Sequence, residues 1–371
     1  MFLFKPNRCV YLCLLFITLS FGKVFSQQKN DLAVIAYYAG NGSDLDSFDV
    51  KQLTHIIFSF CHLKGNLLHV NNARDTATIQ KLVTLKQKNP NLKIMLSLGG
   101  WGGCETCSPV FAVPENRIAF AQSVKEISRY FGIDGIDLDW EYPTIEGYPG
   151  HPYSPQDKET FTALIQRLRA TMGNNFLITF AAGGFQRFLD KAVDWKSIMP
   201  VVDWVNIMSY DLVNGYSKVT GFHTPLYSTK ENNESTDNAV KYLLGIGIPA
   251  NKLVIGAAFY TRVWKNVANV NHGLYQSGEH TNGVNYKSFD TKLNAKNSGF
   301  IYYWNDTAQA PFWYNATTKT FASGDDKRSV KLKTKYASDN RLKGIMFWEL
   351  TLDTYKNGLV NEIYNTAVLG K

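Results

Sequence analysis

The sequence predicts an α/β protein of the (β/α)8 class, a TIM barrel with a small α+β insertion between its seventh and eighth strands. Short β-branched and apolar runs recur eight times along the chain. Amphipathic stretches separate several of them. The interval before the last run exceeds eighty residues, far more than one crossover helix needs.

The runs fall at 33–38, 55–60, 93–98, 133–139, 176–181, 204–209, 253–259 and 343–348. Helical periodicity fills 76–88, 117–131 and 159–172, and returns at 236–244 and 326–337. No Gly-rich nucleotide loop follows the first run, which disfavours a doubly wound open sheet. Within the long interval, aromatic and polar residues alternate between turn signals, as in Phe300-Ile-Tyr-Tyr-Trp304 and Phe312-Trp-Tyr314. Residues 263–322 are therefore expected to form the insertion, and 27–371 one catalytic barrel.

Residues 1–26 read as a signal peptide. Lys5 and Arg8 precede an apolar run from Val10 to Phe21, and small or polar residues follow towards Ser26. That run is shorter than the ~20 residues of a spanning helix, and no later segment is apolar enough to cross a bilayer. A secreted protein, extracellular or periplasmic, is expected. The net charge of +8 includes Lys5, Arg8 and Lys23, so the remainder holds 36 basic and 31 acidic residues. No Lys/Arg block stands out, which argues against nucleic-acid binding.

Cys61, Cys104 and Cys107 remain beyond the signal. Cys104-Glu-Thr-Cys107 has the spacing of a metal half-site or a redox pair, but no second pair or thioredoxin-like context accompanies it. In an oxidising compartment it reads as a local disulfide, leaving Cys61 as a free buried thiol. Asn41, Asn233, Asn305 and Asn315 each open an Asn-x-Ser/Thr sequon.

The most informative segment is Asp134-Gly-Ile-Asp-Leu-Asp-Trp-Glu141. In a strand, Asp137, Asp139 and Glu141 share one face, and Ile136, Leu138 and Trp140 the other. Asp134 is out of register and reads as scaffold. Carboxylates this close cannot all ionise independently. Such a row suits proton transfer; a metal site or a solvated strand edge are the alternatives. The first lacks a nearby His or second acidic cluster, and the second conflicts with the large apolar residues between the acids.

Asp134, Asp137, Asp139 and Glu141 spell Asp-x-x-Asp-x-Asp-x-Glu. Ser97-Leu-Gly-Gly, Met208-Ser-Tyr-Asp211 and Trp348 close the third, sixth and eighth runs. Together these resemble glycoside hydrolase family 18, the chitinases and their relatives. The long interval looks like the insertion of the deep-cleft subfamily. The resemblance implies hydrolysis of β-1,4 N-acetylglucosamine linkages in chitin or chitooligosaccharides by a retaining mechanism, in which the substrate's N-acetyl group is the nucleophile. Glu141 is then the general acid and base. Asp139 orients the N-acetyl group, Asp137 shares a proton with Asp139, and Tyr210 holds the N-acetyl carbonyl. Met208, Ser209 and Asp211 line the same pocket. Trp348 floors the sugar bearing the scissile bond, Trp101 forms a platform on the leaving-group side, and Tyr142, Gly99, Gly100 and Gly102 border the cleft. Arg262, in Tyr260-Thr-Arg262 where the family often has Tyr-Gly-Arg, contacts substrate. Tyr216 stands where some relatives carry Trp. No cofactor or metal and a monomeric state are implied. Cleavage of glycan cores by an endo-β-N-acetylglucosaminidase, or chitin binding by a lectin, are the rival functions.

Overall fold

A computed structural model describes residues 1–3 and 32–369. The segment read as a signal peptide lies, after its first three residues, outside the described part. The barrel strands begin with β1 (Ala33–Tyr38) and β2 (His55–Lys64). A short β3 (Leu67–His69) folds back on β2, outside the ring. The ring continues through β4 (Lys93–Gly99), β5 (Gly135–Asp139), β6 (Leu177–Gly183), β7 (Trp204–Met208) and β8 (Leu253–Ala258). After β8 come β9 (Thr261–Lys265), β10 (Glu279–Thr281), β11 (Ile301–Asn305), β12 (Ala310–Asn315) and β13 (Thr320–Gly324). β14 (Gly344–Trp348) is the eighth barrel strand. The sheet order is β1-β14-β8-β7-β6-β5-β4-β2, and β1 pairs with β2 to close the ring, all in parallel. All eight sequence-read strands are present, with ends displaced by a few residues. The β2–β3 hairpin was not anticipated; it turns on Gly65-Asn66, with Gly65 at φ +64°, a two-residue turn that favours glycine.

Parallel barrel strands are buried on both faces, which is why they read as near-continuous apolar runs. Ile35, Ile57, Met95, Val254 and Met346 fill the inside of the ring. Val34, Ile56, Leu96, Ile136, Leu138 and Ile255 face the helices. Helix Pro114–Phe131 shows how the outer layer is specified. Proline opens it, Gly132 ends it in the left-handed conformation at φ +72°, and Phe120, Ala121 and Val124 are its buried stripe. Each large side chain so buried contributes about 1.5–3 kcal/mol.

Between β8 and β14 the chain forms a second, antiparallel sheet in the order β10-β9-β13-β12-β11. Its exit into helix Lys327–Asp339 is tied to the barrel by a fully buried ion pair. Lys333 Nζ donates to Asp325 Oδ2 at 2.7 Å and to Thr224 Oγ1 at 2.5 Å. Asp325 also accepts from the Ala258 N–H at the end of β8, 2.9 Å away, and from Ser329 Oγ. Breaking a buried pair leaves an uncompensated charge. Asp325→Leu should therefore destabilise the fold by about 3–5 kcal/mol in urea unfolding. A loss below about 1 kcal/mol, the range of an exposed ion pair, would show that the pair does not hold this junction.

Candidate active site

The acid row is β5 and the two residues after it. Asp137 is fully buried inside the ring, and both its oxygens are occupied. Oδ2 accepts from Tyr37 Oη at 3.0 Å and Ser97 Oγ at 2.9 Å. Oδ1 accepts from Thr179 Oγ1 at 2.6 Å and Asn206 Nδ2 at 3.1 Å. The donors come from β1, β4, β6 and β7. A carboxylate offers about four lone-pair sites, and these four contacts fill those of Asp137. Burial leaves the Asp137 carboxyl raised above its ordinary value, an effect its four donors offset only in part. Asp139 is also buried, but its Oδ1 has no hydrogen-bond partner. An orphaned carboxyl oxygen inside a protein is costly unless a ligand completes it.

Asp139 is held well above the ordinary carboxylate range by burial, then by the charges of Glu141 and Asp137. Glu141, half-buried just beyond the strand, is pushed from 4.5 up to about 7. Burial is the largest cause, the Tyr142 hydroxyl opposes it, and the Asp211 charge adds to it. Desolvation thus outranks the repulsion between neighbours that the sequence spacing suggested.

Tyr210 and Asp211 follow β7. The Tyr210 ring covers Gly256, where a Cβ would come within 2.9 Å of it. Its hydroxyl faces Met346 Sδ at 3.8 Å. Asp211 sits in the left-handed region at φ +56°. Its carboxylate is gripped in bidentate fashion by Arg262 Nε and a terminal guanidinium nitrogen, both at 2.6 Å, and by Tyr260 Oη at 2.8 Å. Burial pushes this carboxyl up, but the Arg262 guanidinium outweighs it and holds the group ionised far below the usual range. Arg262 and Asp211 are therefore partners first. Met208 is buried inside the ring. Ser209 is fully buried and ties β7 to β8, accepting from the Gly256 N–H at 3.0 Å and donating to its carbonyl at 3.1 Å, so it is turned away from the cleft.

Aromatic rings flank the acids. Tyr142, next to Glu141, packs on Trp101 with centroids 6.4 Å apart. Tyr148 and Tyr216 complete that cluster at 5.5 and 6.2 Å from Trp101. Trp101 and Tyr216 are 48% and 61% exposed, so their faces are free to stack. On the other side Trp348 lies within 6.0 Å of Tyr37, the donor to Asp137. It stacks on Phe60 at 5.5 Å. Phe60 also lines a polar cavity of about 530 Å3 with Asp44, His62, Arg74 and Lys287. Among the described residues, no three His, Cys, Asp or Glu side chains are grouped to hold a metal ion.

Residues 33–353 match the family model for glycosyl hydrolases family 18. The chain belongs to glycoside hydrolase family 18. It is 36% identical to chitinase A1 of Niallia circulans over 301 residues, 75% of this chain and 43% of that protein. It is 29% identical to chitinase B of Serratia marcescens, covering 89% of this chain and 78% of that one. A solved family 18 N-acetylglucosaminidase from Paenibacillus barengoltzii superposes with a TM-score of 0.82 at 32% identity, over 90% of this chain and 99% of that structure. The chain spans less than half the length of two curated relatives, 43% of chitinase A1 and 29% of chitinase ChiA from Flavobacterium johnsoniae.

In this family 18 barrel the glycines at the end of β4 and just after it serve the backbone. The Gly100 N–H donates to the Asp139 carbonyl at 2.9 Å. A Cβ at Gly99 would collide with that carbonyl, and one at Gly100 with the Phe60 ring. Gly99, Gly100 and Gly102 all have positive φ, at +110°, +81° and +86°. Cys104 and Cys107 form a disulfide in the same loop, and Cys61 is free and buried. Asp134 accepts from the Ile94 N–H at 2.8 Å and pairs with Lys86 at 2.6 Å, so it is scaffold. Sequence reasoning missed Tyr37, Thr179 and Asn206 around Asp137, and Phe60, Tyr148, Tyr260 and His223 around the cleft. Isolated polar residues inside apolar strands, as Thr179 and Asn206 are, were the available signal for the first group.

Raising the folded pKa of Glu141 from 4.5 to about 7 makes the folded state bind the proton more tightly than the unfolded chain. Its favourable contribution is present below pH ~4.5 and is lost as pH rises through about 7. Glu141→Gln carries no such term. Above about pH 8 the variant should be more stable than wild type by roughly 2 kcal/mol, and the gap should close in acid. Melting curves across pH check this; a variant less stable than wild type at alkaline pH would contradict a strained, desolvated Glu141.

Proposed function

We propose that this chain is an exported, monomeric chitinase that hydrolyses β-1,4 N-acetylglucosamine linkages in chitin and chitooligosaccharides with retention of configuration. The observation that carries the reading is the state of the carboxyls around Glu141. Asp137 is saturated by four donors and Asp211 is locked to Arg262 and Tyr260. Asp139 is buried with an oxygen awaiting a donor. The site thus has a proton donor poised at about 7 and no solvated carboxylate placed to attack a sugar carbon. A substrate carrying its own nucleophile fits such a site.

In this reading Glu141 gives its proton to the glycosidic oxygen as the C1–O bond breaks. The carbonyl oxygen of the 2-acetamido group attacks C1 and closes an oxazolinium ring. Asp139 Oδ1 accepts the acetamido N–H and orients the group for attack. The Tyr210 hydroxyl donates to the acetamido carbonyl and holds its angle of attack, the kind of positioning that lowers barriers most. Water then attacks C1, Glu141 takes back a proton, and the acetamide reforms. Trp348 would floor the sugar being cleaved, with Trp101, Tyr142 and Tyr216 stacking on the leaving portion. Two relatives bear the name chitinase and have 36% and 29% identity, which favours chitin as substrate. The Cys104–Cys107 disulfide favours an oxidising compartment and hence export.

Glu141→Gln should lower hydrolysis of colloidal chitin by about 10²–10⁴-fold, while chitooligosaccharide binding by calorimetry persists. Since the protonated acid is the active form, kcat/KM of the wild type should fall as pH rises through about 7. A thiazoline analogue of the sugar should inhibit. Retained hydrolysis in the variant would remove Glu141 as the acid. Cleavage of a high-mannose glycoprotein but not of chitin would replace this reading with the glycan-core enzyme.

A further inference from the structure

His223 is fully buried, belongs to none of the motifs, and sits behind Tyr210 and Asp211. Its Nδ1 lies 3.2 Å from the Asp211 backbone N–H, and its Nε2 lies 3.2 Å from the Tyr260 carbonyl. A backbone N–H can only donate and a carbonyl can only accept. Those partners decide the tautomer: Nδ1 carries the lone pair and Nε2 the proton. The Asp211 Oδ1 is 3.3 Å from the same Nδ1, where two acceptors face each other. The Arg262 guanidinium holds the carboxylate in that place.

The backbone of His223 joins the same clamp. Its carbonyl accepts the Leu212 N–H at 3.0 Å, and its own N–H donates to Ser323 Oγ at 3.2 Å. The next residue, Thr224, donates its hydroxyl to the Ser209 carbonyl at 3.1 Å. Two consecutive residues thus grip Ser209, Asp211 and Leu212. The stretch they grip includes a non-glycine residue at φ +56°, a conformation that needs outside support.

We propose that His223 is a positioning residue, a neutral imidazole protonated on Nε2, that fixes the left-handed turn at Asp211 and so aims the Tyr210 hydroxyl at the substrate. The inference rests on the chitinase reading for its purpose, but the tautomer stands on geometry alone. Being fully buried, His223 touches no substrate.

Asparagine places an amide oxygen close to where Nδ1 sits, and leucine places none. His223→Leu should therefore lower kcat on chitooligosaccharides by about 100-fold with little change in KM, the mark of a lost transition-state interaction. His223→Asn should recover kcat to within about tenfold of wild type. Thermal melts establish that each variant is folded. Long-range ¹H–¹⁵N NMR of the wild type near pH 7, with the His223 signal assigned from the asparagine variant, should show an unprotonated Nδ1 and a protonated Nε2. A folded His223→Leu enzyme with wild-type kcat, or a protonated Nδ1, overturns the inference. If the leucine variant does not fold, the NMR result and the asparagine variant decide. A wild type inert on chitooligosaccharides would instead overturn the activity reading, whatever tautomer is found.

Discussion

Four hydrogen bonds to one carboxylate organise this barrel. Asp137 receives donors from β1, β4, β6 and β7 across the interior of the ring. Parallel strands packed by apolar contacts alone could slide or splay at their ends. A buried carboxylate costs too much to leave unpaired, so each donor strand is held at one height relative to β5. Asp137 also lies close enough to Asp139 for its charge, after burial and Glu141, to help raise the Asp139 carboxyl. The chemistry of the row depends on it.

From that fixed point the two remaining acids differ by environment. Asp139 lies deepest with an unpartnered oxygen, and Glu141 lies at the mouth, desolvated by the rings around it. Asp211 is of the same residue type as Asp139, yet the Arg262 guanidinium holds it ionised. Burial, with neighbouring charge behind it, thus raises Asp139 and Glu141, while a guanidinium holds Asp211 down. This separation is what acid catalysis near neutral pH demands. The loops supply the rest: the Gly99–Gly100 backbone keeps the Asp139 carbonyl close, and His223 with Thr224 keeps the turn after β7.

Much of this was legible in the chain. Parallel strands buried on both faces announce themselves as apolar runs, so the eight barrel strands could be read directly, along with the acid row and its face. The Cys104–Cys107 pair was legible from spacing and compartment. The donors to Asp137 were not. Thr179 within Leu-Ile-Thr-Phe-Ala is an isolated polar residue in an apolar strand, but its partner, 42 positions away, is visible only once the ring closes. Tyr37 and Asn206 meet Asp137 across 100 and 69 positions for the same reason. The Gly100 N–H and the Ser209 hydroxyl bond to neighbouring strands, partners that become visible only in the closed ring. The β2–β3 hairpin escaped notice because Gly65-Asn66 is a small signal beside a long strand.

The central claim is that the site holds a proton on Glu141 near neutral pH because the cleft desolvates it. A ¹³C NMR titration with carboxyl-labelled glutamate reads this directly, the Glu141 signal being the one missing from Glu141→Gln. Its midpoint should lie at about 7. A midpoint at the ordinary value of 4.5 would show that Glu141 is solvated and ionised, and that the acid must be sought elsewhere.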